Sequence, residues 1–241
     1  MKCTNNKISL IIPVYNEASI LKNNVLIIED AIKRIVNSYE IIIAEDGSKD
    51  GTNIVARELS KNNPHIMLSH SEERIGKGGA ITKAFKISSG EIIIFMDVDI
   101  STSLDFLPII INNIEKGYDM VIGSRFFKKS IVERKFYRKF FSSCFNTLVR
   151  ILFKTGVHDH QCGFKAIRSN VFKKVMSNIY NDNFLFDTEL IIKLISNKFS
   201  IAEIPVIWKE PKKRKSKFKI LRDAPRMGIE LLKLRVKLWR T

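Results

Sequence analysis

Three apolar runs along this 241-residue chain each stop at carboxylates. Ile8-Ser-Leu-Ile-Ile-Pro-Val14 gives way to Tyr15-Asn16-Glu17, Tyr39-Glu-Ile-Ile-Ile-Ala44 to Glu45-Asp46-Gly-Ser-Lys-Asp50, and Glu91-Ile-Ile-Ile-Phe-Met96 to Asp97-Val98-Asp99. Runs of this length, partly β-branched and bounded by turn formers, predict strands buried on both faces of a sheet. Between and after them the spacing turns helical. One helix runs through Ile54, Val55 and Leu59, with Asp50 or Thr52 as its cap. A second carries Ile81, Phe85 and Ile87 behind the glycines of Glu72-Glu-Arg-Ile-Gly-Lys-Gly-Gly-Ala-Ile81. Residues 134–153 predict a third, with Phe136, Phe140, Leu148 and Phe153 as core, and Glu189–Leu194 a fourth that Asp187 can cap. Near the end Met227, Leu231, Leu234 and Leu238 keep helical spacing, although the alternation in Lys233-Leu-Arg-Val-Lys-Leu238 leaves a short strand open. The pattern is that of an α/β domain whose central, mostly parallel sheet is flanked by helices.

In such sheets ligands bind at the carboxyl ends of the strands, where the three acidic turns fall. Side chains two apart on a strand share a side. Asp97 and Asp99 therefore can converge on one hard divalent cation, which takes oxygen ligands and shares them with phosphate. Backbone amides at the glycine-rich helix start offer a place for an anion.

Composition narrows the setting. The hydrophobic fraction of 45% is ordinary for one globular unit, and no domain linker is evident: residues 1–211 read as the body and 212–241 as a basic amphipathic segment that either lies in a membrane interface or packs on the body. Cys3, Cys144 and Cys162 have no close pair, which argues against a zinc site or a disulfide framework and for a reducing cytosol. No signal peptide and no 18-residue apolar stretch is seen, so membrane contact is expected to be peripheral. The net charge of +16 is uneven. Residues 125–154 hold nine Lys/Arg against Glu133 alone, and residues 209–241 hold thirteen against Glu210, Asp223 and Glu230. Two basic segments on a nearly neutral body point to phosphates or an anionic membrane surface. Nucleic acid is the competing partner, but no nucleic-acid-binding signature accompanies the charge, and no specific binding is expected.

The motifs, taken in order, resemble those of the inverting GT-A nucleotide-sugar glycosyltransferases, in particular the dolichyl-phosphate glucose and dolichyl-phosphate mannose synthases. They are Ile12-Pro-Val-Tyr-Asn-Glu17, Glu45-Asp-Gly-Ser-Lys-Asp-Gly-Thr52, Arg74-Ile-Gly-Lys-Gly-Gly79, Asp97-Val-Asp99, Ile122-Gly-Ser-Arg125, Gln161-Cys-Gly-Phe-Lys165, Phe186-Asp-Thr-Glu-Leu190 and Glu203-Ile-Pro-Val-Ile-Trp-Lys-Glu210. The sixth and eighth look more like the glucose branch. The resemblance implies a GT-A fold, a Mg2+ or Mn2+ cofactor, UDP-glucose as donor with GDP-mannose as the alternative, and dolichyl or another polyprenyl phosphate as acceptor. Pro13, Tyr15, Asn16, Glu17, Ala44 and Asp46 would border the base and ribose. Lys77, Asp97, Val98 and Asp99 would face the ribose and diphosphate, and Lys217 the donor from the C-terminal side. Asp99 is the implied metal ligand, with Ser101 standing where many mannose synthases use Gln; Glu45 stands where Asp is usual. Arg125, with Arg138 and Ser142 of an Arg-x-x-x-Ser pattern, would face the acceptor phosphate, while Arg134 and Lys135 compete with Arg138.

Asp187 occupies the place where related transferases keep a catalytic base. A sugar-hydroxyl acceptor would need that base. A phosphate monoester, with a second pKa of about 6, is already ionised and needs cations instead. Other classes fit less well: no Gly-x-Gly-x-x-Gly follows the first strand, as a dinucleotide-binding oxidoreductase requires, nor does a nucleotidyltransferase's triphosphate loop. His158-Asp-His160 lacks a third ligand and reads as a surface loop. The non-enzymatic alternative is a basic protein that binds membrane or nucleic acid.

Overall fold

The computed structural model describes residues 3–180, 183, 185–211 and 220–239. The first half alternates strand and helix: β1 (Ile8–Val14), α1 (Ala18–Ile35), β2 (Tyr39–Asp46), α2 (Thr52–Asn62), β3 (Ile66–Ser71), α3 (Gly76–Phe85) and β4 (Ile92–Phe95). All three strand pairings here are parallel, with β1 between β2 and β4, because each helix carries the chain back to the same end of the sheet. The consequence is that Tyr15, Glu45–Asp46 and Asp97 all emerge at one edge. α1 buries Leu21, Val25, Ile28 and Ile32, one stripe at helical spacing, against this sheet.

A short 3-10 turn (Leu104–Phe106) leads into α4 (Leu107–Glu115), β5 (Met120–Ser124), β6 (Ile131–Glu133), α5 (Phe136–Phe153), β7 (Lys165–Arg168), α6 (Ser169–Met176), α7 (Phe186–Ser196), β8 (Ile201–Pro205), β9 (Ile207–Lys209) and α8 (Ile220–Trp239). β7 enters antiparallel between β4 and β5, giving the order β3-β2-β1-β4-β7-β5-β8. Its register sets Lys165 between Phe95 and Ile122, at the strand end that leads to Asp97. β6 and β9 form a small parallel sheet, and an isolated bridge from Thr102 to Trp208 draws it over the turn that follows Asp99.

Several expectations change. Met227, Leu231 and Leu234 of α8 are buried with Val149, Leu185 and Ile192, and residues 233–238 are helix, because docking of the apolar stripe on α5 and α7 decides between the two periods. On α5 only Asn146 and Val149 are buried; Phe136, Phe140 and Leu148, expected in the core, are exposed, since the helix meets α8 through its opposite side. The cap of α2 is Gly51 in the left-handed region, with Asp50 accepting from the Thr52 amide one step earlier. Asp187 lies inside the first turn of α7 and caps nothing. The loop at 158–160 is not a surface loop: Asp159 and His160 are fully buried.

Candidate active site

At the carboxyl edge of the sheet a cleft of about 380 Å3 is lined by residues from both halves of the chain. One wall is acidic and built on strand ends. Pro13 near the end of β1, Tyr15 and Glu17 just beyond it, and Asp46 at the last position of β2 line it. The Glu17 amide donates to Thr52 Oγ1 (2.8 Å) and the Ala18 amide to Asp50 Oδ2 (3.1 Å), so the loop after β2 fixes the start of α1. Asp46 Oδ1 accepts the amides of Ile75 (2.7 Å) and Gly76 (3.1 Å). The helix start expected to meet an anion therefore meets one from within the chain. Burial raises the Asp46 pKa despite these amides and Arg74. Arg74 itself lies over the Tyr15 ring, 4.2 Å from its centre. Asn16 and Ala44 do not line the cleft. Asn16 bridges two loops, its amide donating to Ser48 Oγ and its Oδ1 accepting from the Lys49 amide, and Ala44 is buried within β2. Glu45 is spent on structure, accepting from the Ser48 amide (2.6 Å) and lying 2.5 Å from His70 Nδ1.

At the floor, Asp97, Val98, Asp99 and Ser101 line the cleft together. Ser101 donates to Asp99 Oδ1 from both its amide (3.1 Å) and its hydroxyl (2.6 Å), which orients the carboxylate. Ile100, a β-branched residue, takes φ +52°, a costly conformation held at the turn between them. Gly163 is packed so closely that a Cβ there would sit 1.9 Å from Asp97 Oδ2. The donor set is all oxygen and fits Mg2+ or Mn2+, cations that take one or two carboxylates and fill the remaining positions from phosphate and water. Among the described residues no three His, Cys, Asp or Glu side chains cluster to hold a metal unaided.

Beside Asp97 runs a line of alternating charge. Lys77 Nζ is 3.2 Å from Asp97 Oδ1 and 3.3 Å from Asp187 Oδ2. Asp187 Oδ1 accepts at 2.7 Å from Lys165 Nζ, which is wholly buried and also donates to the Cys162 carbonyl. Burial alone would raise the Asp187 pKa, yet Lys165 and Lys77 hold it below the ordinary carboxylate range. Burial likewise opposes charge on Lys77, and Asp187 and Asp97 more than reverse it.

The opposite wall is basic. Arg125 Nε and Nη2 make a bidentate pair with buried Asp159 (2.7 and 2.8 Å), whose amide donates to Glu203. Arg138 and Ser142, one turn apart on α5, line the cleft with Arg134, which settles the rotation of that helix: Lys135 does not line it. Trp208 stands between Arg125 and Arg134, whose guanidinium carbons lie 5.7 and 5.4 Å from its ring. Burial, with Arg125 and Arg138 close by, pulls Arg134 down to about 10. Lys217 lies outside the described residues. Asp159, Lys165, Trp208 and Glu210 were not singled out from sequence. Asp159 lies within His158-Asp-His160, and Lys165, Trp208 and Glu210 lie within the sixth and eighth motifs, which marked them without assigning a role.

Residues 9–176 match the family described as glycosyl transferase family 2. The chain is 32% identical over 230 residues to glycosyltransferase AglD of Haloferax volcanii, covering 94% of this chain and 36% of that protein, so it spans about a third of that relative's length. It is 30% identical to dolichyl-phosphate beta-glucosyltransferase ALG5D of Trichomonas vaginalis, covering 95% of this chain and 73% of that one. With dolichol-phosphate mannosyltransferase of Pyrococcus furiosus it shares 32% identity, over 88% of this chain and 59% of the other. Among solved structures, glucosyl-3-phosphoglycerate synthase from Mycobacterium tuberculosis, bound to Mn2+, UDP and phosphoglyceric acid, superposes with a TM-score of 0.71 at 19% identity, covering 95% of this chain and 78% of that one. At that identity the likeness concerns the fold. The fold is thus shared with a glycosyltransferase of known structure, and the chain belongs to glycosyl transferase family 2, with the GT-A α/β fold.

Proposed function

We propose that this enzyme transfers a hexose, glucose from UDP-glucose, with inversion onto a polyprenyl phosphate such as dolichyl phosphate. The observation that carries the reading is the division of the cleft, with Asp97 and Asp99 on the floor and Arg125, Arg134 and Arg138 on the facing wall. A donor diphosphate belongs at the first and an anionic acceptor at the second. Asp99 and Asp97 would hold Mg2+ or Mn2+, which when bound neutralises charge on the leaving diphosphate. Lys77, held between Asp97 and Asp187, adds a fixed cation on the same side.

A phosphate oxygen of the acceptor attacks C1 of the sugar from the face opposite the diphosphate. The new O–C1 bond forms as the old one breaks, and UDP departs with the bonding pair. No base is needed, because the acceptor is already ionised near neutrality. Asp187 is poorly suited to act as one, since both of its oxygens face lysine ammonium groups. The task of the protein is to bring two anions together, and arginines with fixed geometry do that by charge and orientation.

Glucose as the sugar is supported by Gln161-Cys-Gly-Phe-Lys165 and Pro205-Val-Ile-Trp-Lys-Glu210, which look like the glucose branch. Relatives named for mannose transfer make GDP-mannose the second reading. Incubation with each donor, dolichyl phosphate and Mn2+, following nucleotide release, is expected to give at least about tenfold faster turnover with UDP-glucose, about 1.4 kcal/mol of preference. The opposite preference would defeat the donor assignment.

The lipid acceptor also implies a place for the enzyme, peripheral at the cytosolic face of a membrane. No helix among the described residues is long and apolar enough to cross one. Phe136, 83% exposed, and Phe140 stand out on α5 near Phe141, which lines the cleft, and Lys135 and Lys139 flank them. An apolar, basic surface at the mouth of a cleft suits an anionic lipid interface.

A further inference from the structure

Three guanidiniums share the basic wall with two carboxylates, and the two carboxylates are held very differently. Asp159 is buried and bidentate on Arg125, so nothing entering the cleft can take its place. Glu210 lines the cleft and is partly open to it. Its Oε1 lies 3.2 Å from Arg138 Nε, an ion pair off hydrogen-bond alignment, for that Nε is buried without a hydrogen-bond partner. Its Oε2 accepts from the Lys135 amide at the start of α5, also at 3.2 Å. Arg134 Nε is likewise buried without a hydrogen-bond partner, and among the described residues no carboxylate forms an ion pair with Arg134.

We propose that Glu210 is a displaceable counter-ion at the acceptor site, occupying Arg138 until a phosphate monoester dianion binds across Arg138 and Arg134 and takes its place. The wall lacks one negative charge as it stands. A phosphate supplies it, and pairs of its oxygens can each be bridged by a planar guanidinium. Glu210 does not have to leave the site, because the α5 amide gives its carboxylate a second hold while Arg138 changes partner. The residue thus sets an affinity threshold: a dianion displaces it, while a monoanionic carboxylate or diester competes with it on nearly equal terms. This inference rests on the phosphate-acceptor reading above.

The test uses the full chain and inorganic phosphate as probe, titrated calorimetrically without donor, together with the KM for dolichyl phosphate. Glu210→Gln keeps an oxygen for the Lys135 amide and removes the charge. It is expected to bind phosphate about fivefold tighter and to lower the KM for dolichyl phosphate by a similar factor, with UDP affinity unchanged. Unchanged or weaker phosphate binding by Glu210→Gln at wild-type thermal stability overturns the proposal. Arg134→Gln is expected to weaken phosphate binding about tenfold. If it does not, the site does not include Arg134 and the proposal fails even where Glu210→Gln is unstable. Transfer by the wild-type enzyme to a sugar hydroxyl and not to dolichyl phosphate would defeat the acceptor reading instead, whatever the two variants do with phosphate.

Discussion

The carboxylate of Asp99 is aimed by two hydrogen bonds from Ser101, and that of Asp97 by the bare backbone of Gly163 and the ammonium of Lys77. Asp99→Asn keeps the shape but loses the charge that balances a cation and diphosphate, and a fall of about a hundredfold or more in kcat/KM is expected, with loss of Mn2+-dependent UDP binding. Gly163→Ala probes the same site from behind. Its Cβ would meet the tip of a side chain, not backbone, so the fold should survive while Asp97 is pushed aside. A displacement of that size costs about a hundredfold in rate; near-normal turnover together with a near-normal melting temperature would show that Asp97 has no fixed place in the reaction. Much of this was legible in the sequence. Asp97-Val-Asp99 was legible as an acidic turn behind a buried strand, but both carboxylates lie past the end of β4, so period-two alternation does not set their directions. Arg125–Asp159 and Lys165–Asp187 were not legible, because each joins residues far apart in the chain and depends on which strand lies beside which.

Among elements, β7 and α7 are joined through the buried charge pair Lys165–Asp187. Removing one partner strands the other, so Asp187→Asn is expected to destabilise the fold by about 3–5 kcal/mol, seen as a drop in denaturation midpoint. Unaltered stability would mean that Lys165 finds another partner. Acid sensitivity arises in two other places. Buried His160 is lowered from 6.5 to about 4 by burial, its ring facing Asn146 and Thr155. Glu40 ties β2 to Ser9 and Ser89. Burial would raise its pKa, but Lys7, Ser9 and Ser89 bring it to about 2. In both cases the unfolded chain binds more protons, so stability is greatest above about pH 6.5 and is lost as pH falls, first through the His160 window and then between about 4.5 and 2. Glu40→Gln should flatten the lower part of a plot of melting temperature against pH. The predicted strands appeared as expected because long buried runs leave little choice. The rotation of α5 and the docking of α8 were open in the sequence, since an amphipathic helix does not name the surface it meets.

For the molecule as a whole, carboxylates at strand ends and arginines on and beside α5 line one cleft, and aromatic residues of α5 are exposed close by. That combination suits a water-soluble donor and a lipid-borne phosphate meeting at an interface. Replacing Phe136, Phe140 and Ile151 together by Ser removes exposed apolar surface with little effect on stability. It should weaken binding to anionic vesicles and raise the KM for long-chain acceptors more than for short ones. Raised salt should weaken the same binding. Vesicle binding indifferent to both changes would move the membrane contact elsewhere on the chain.

The proposed function rests on a phosphate acceptor. It is tested most directly by offering UDP-glucose labelled in the sugar, with Mn2+, to dolichyl phosphate and to dolichol, which differ only in the phosphate group. Label is expected in a lipid-extractable product from dolichyl phosphate and none from dolichol. Transfer to dolichol or to a sugar hydroxyl, with dolichyl phosphate inert, would contradict it.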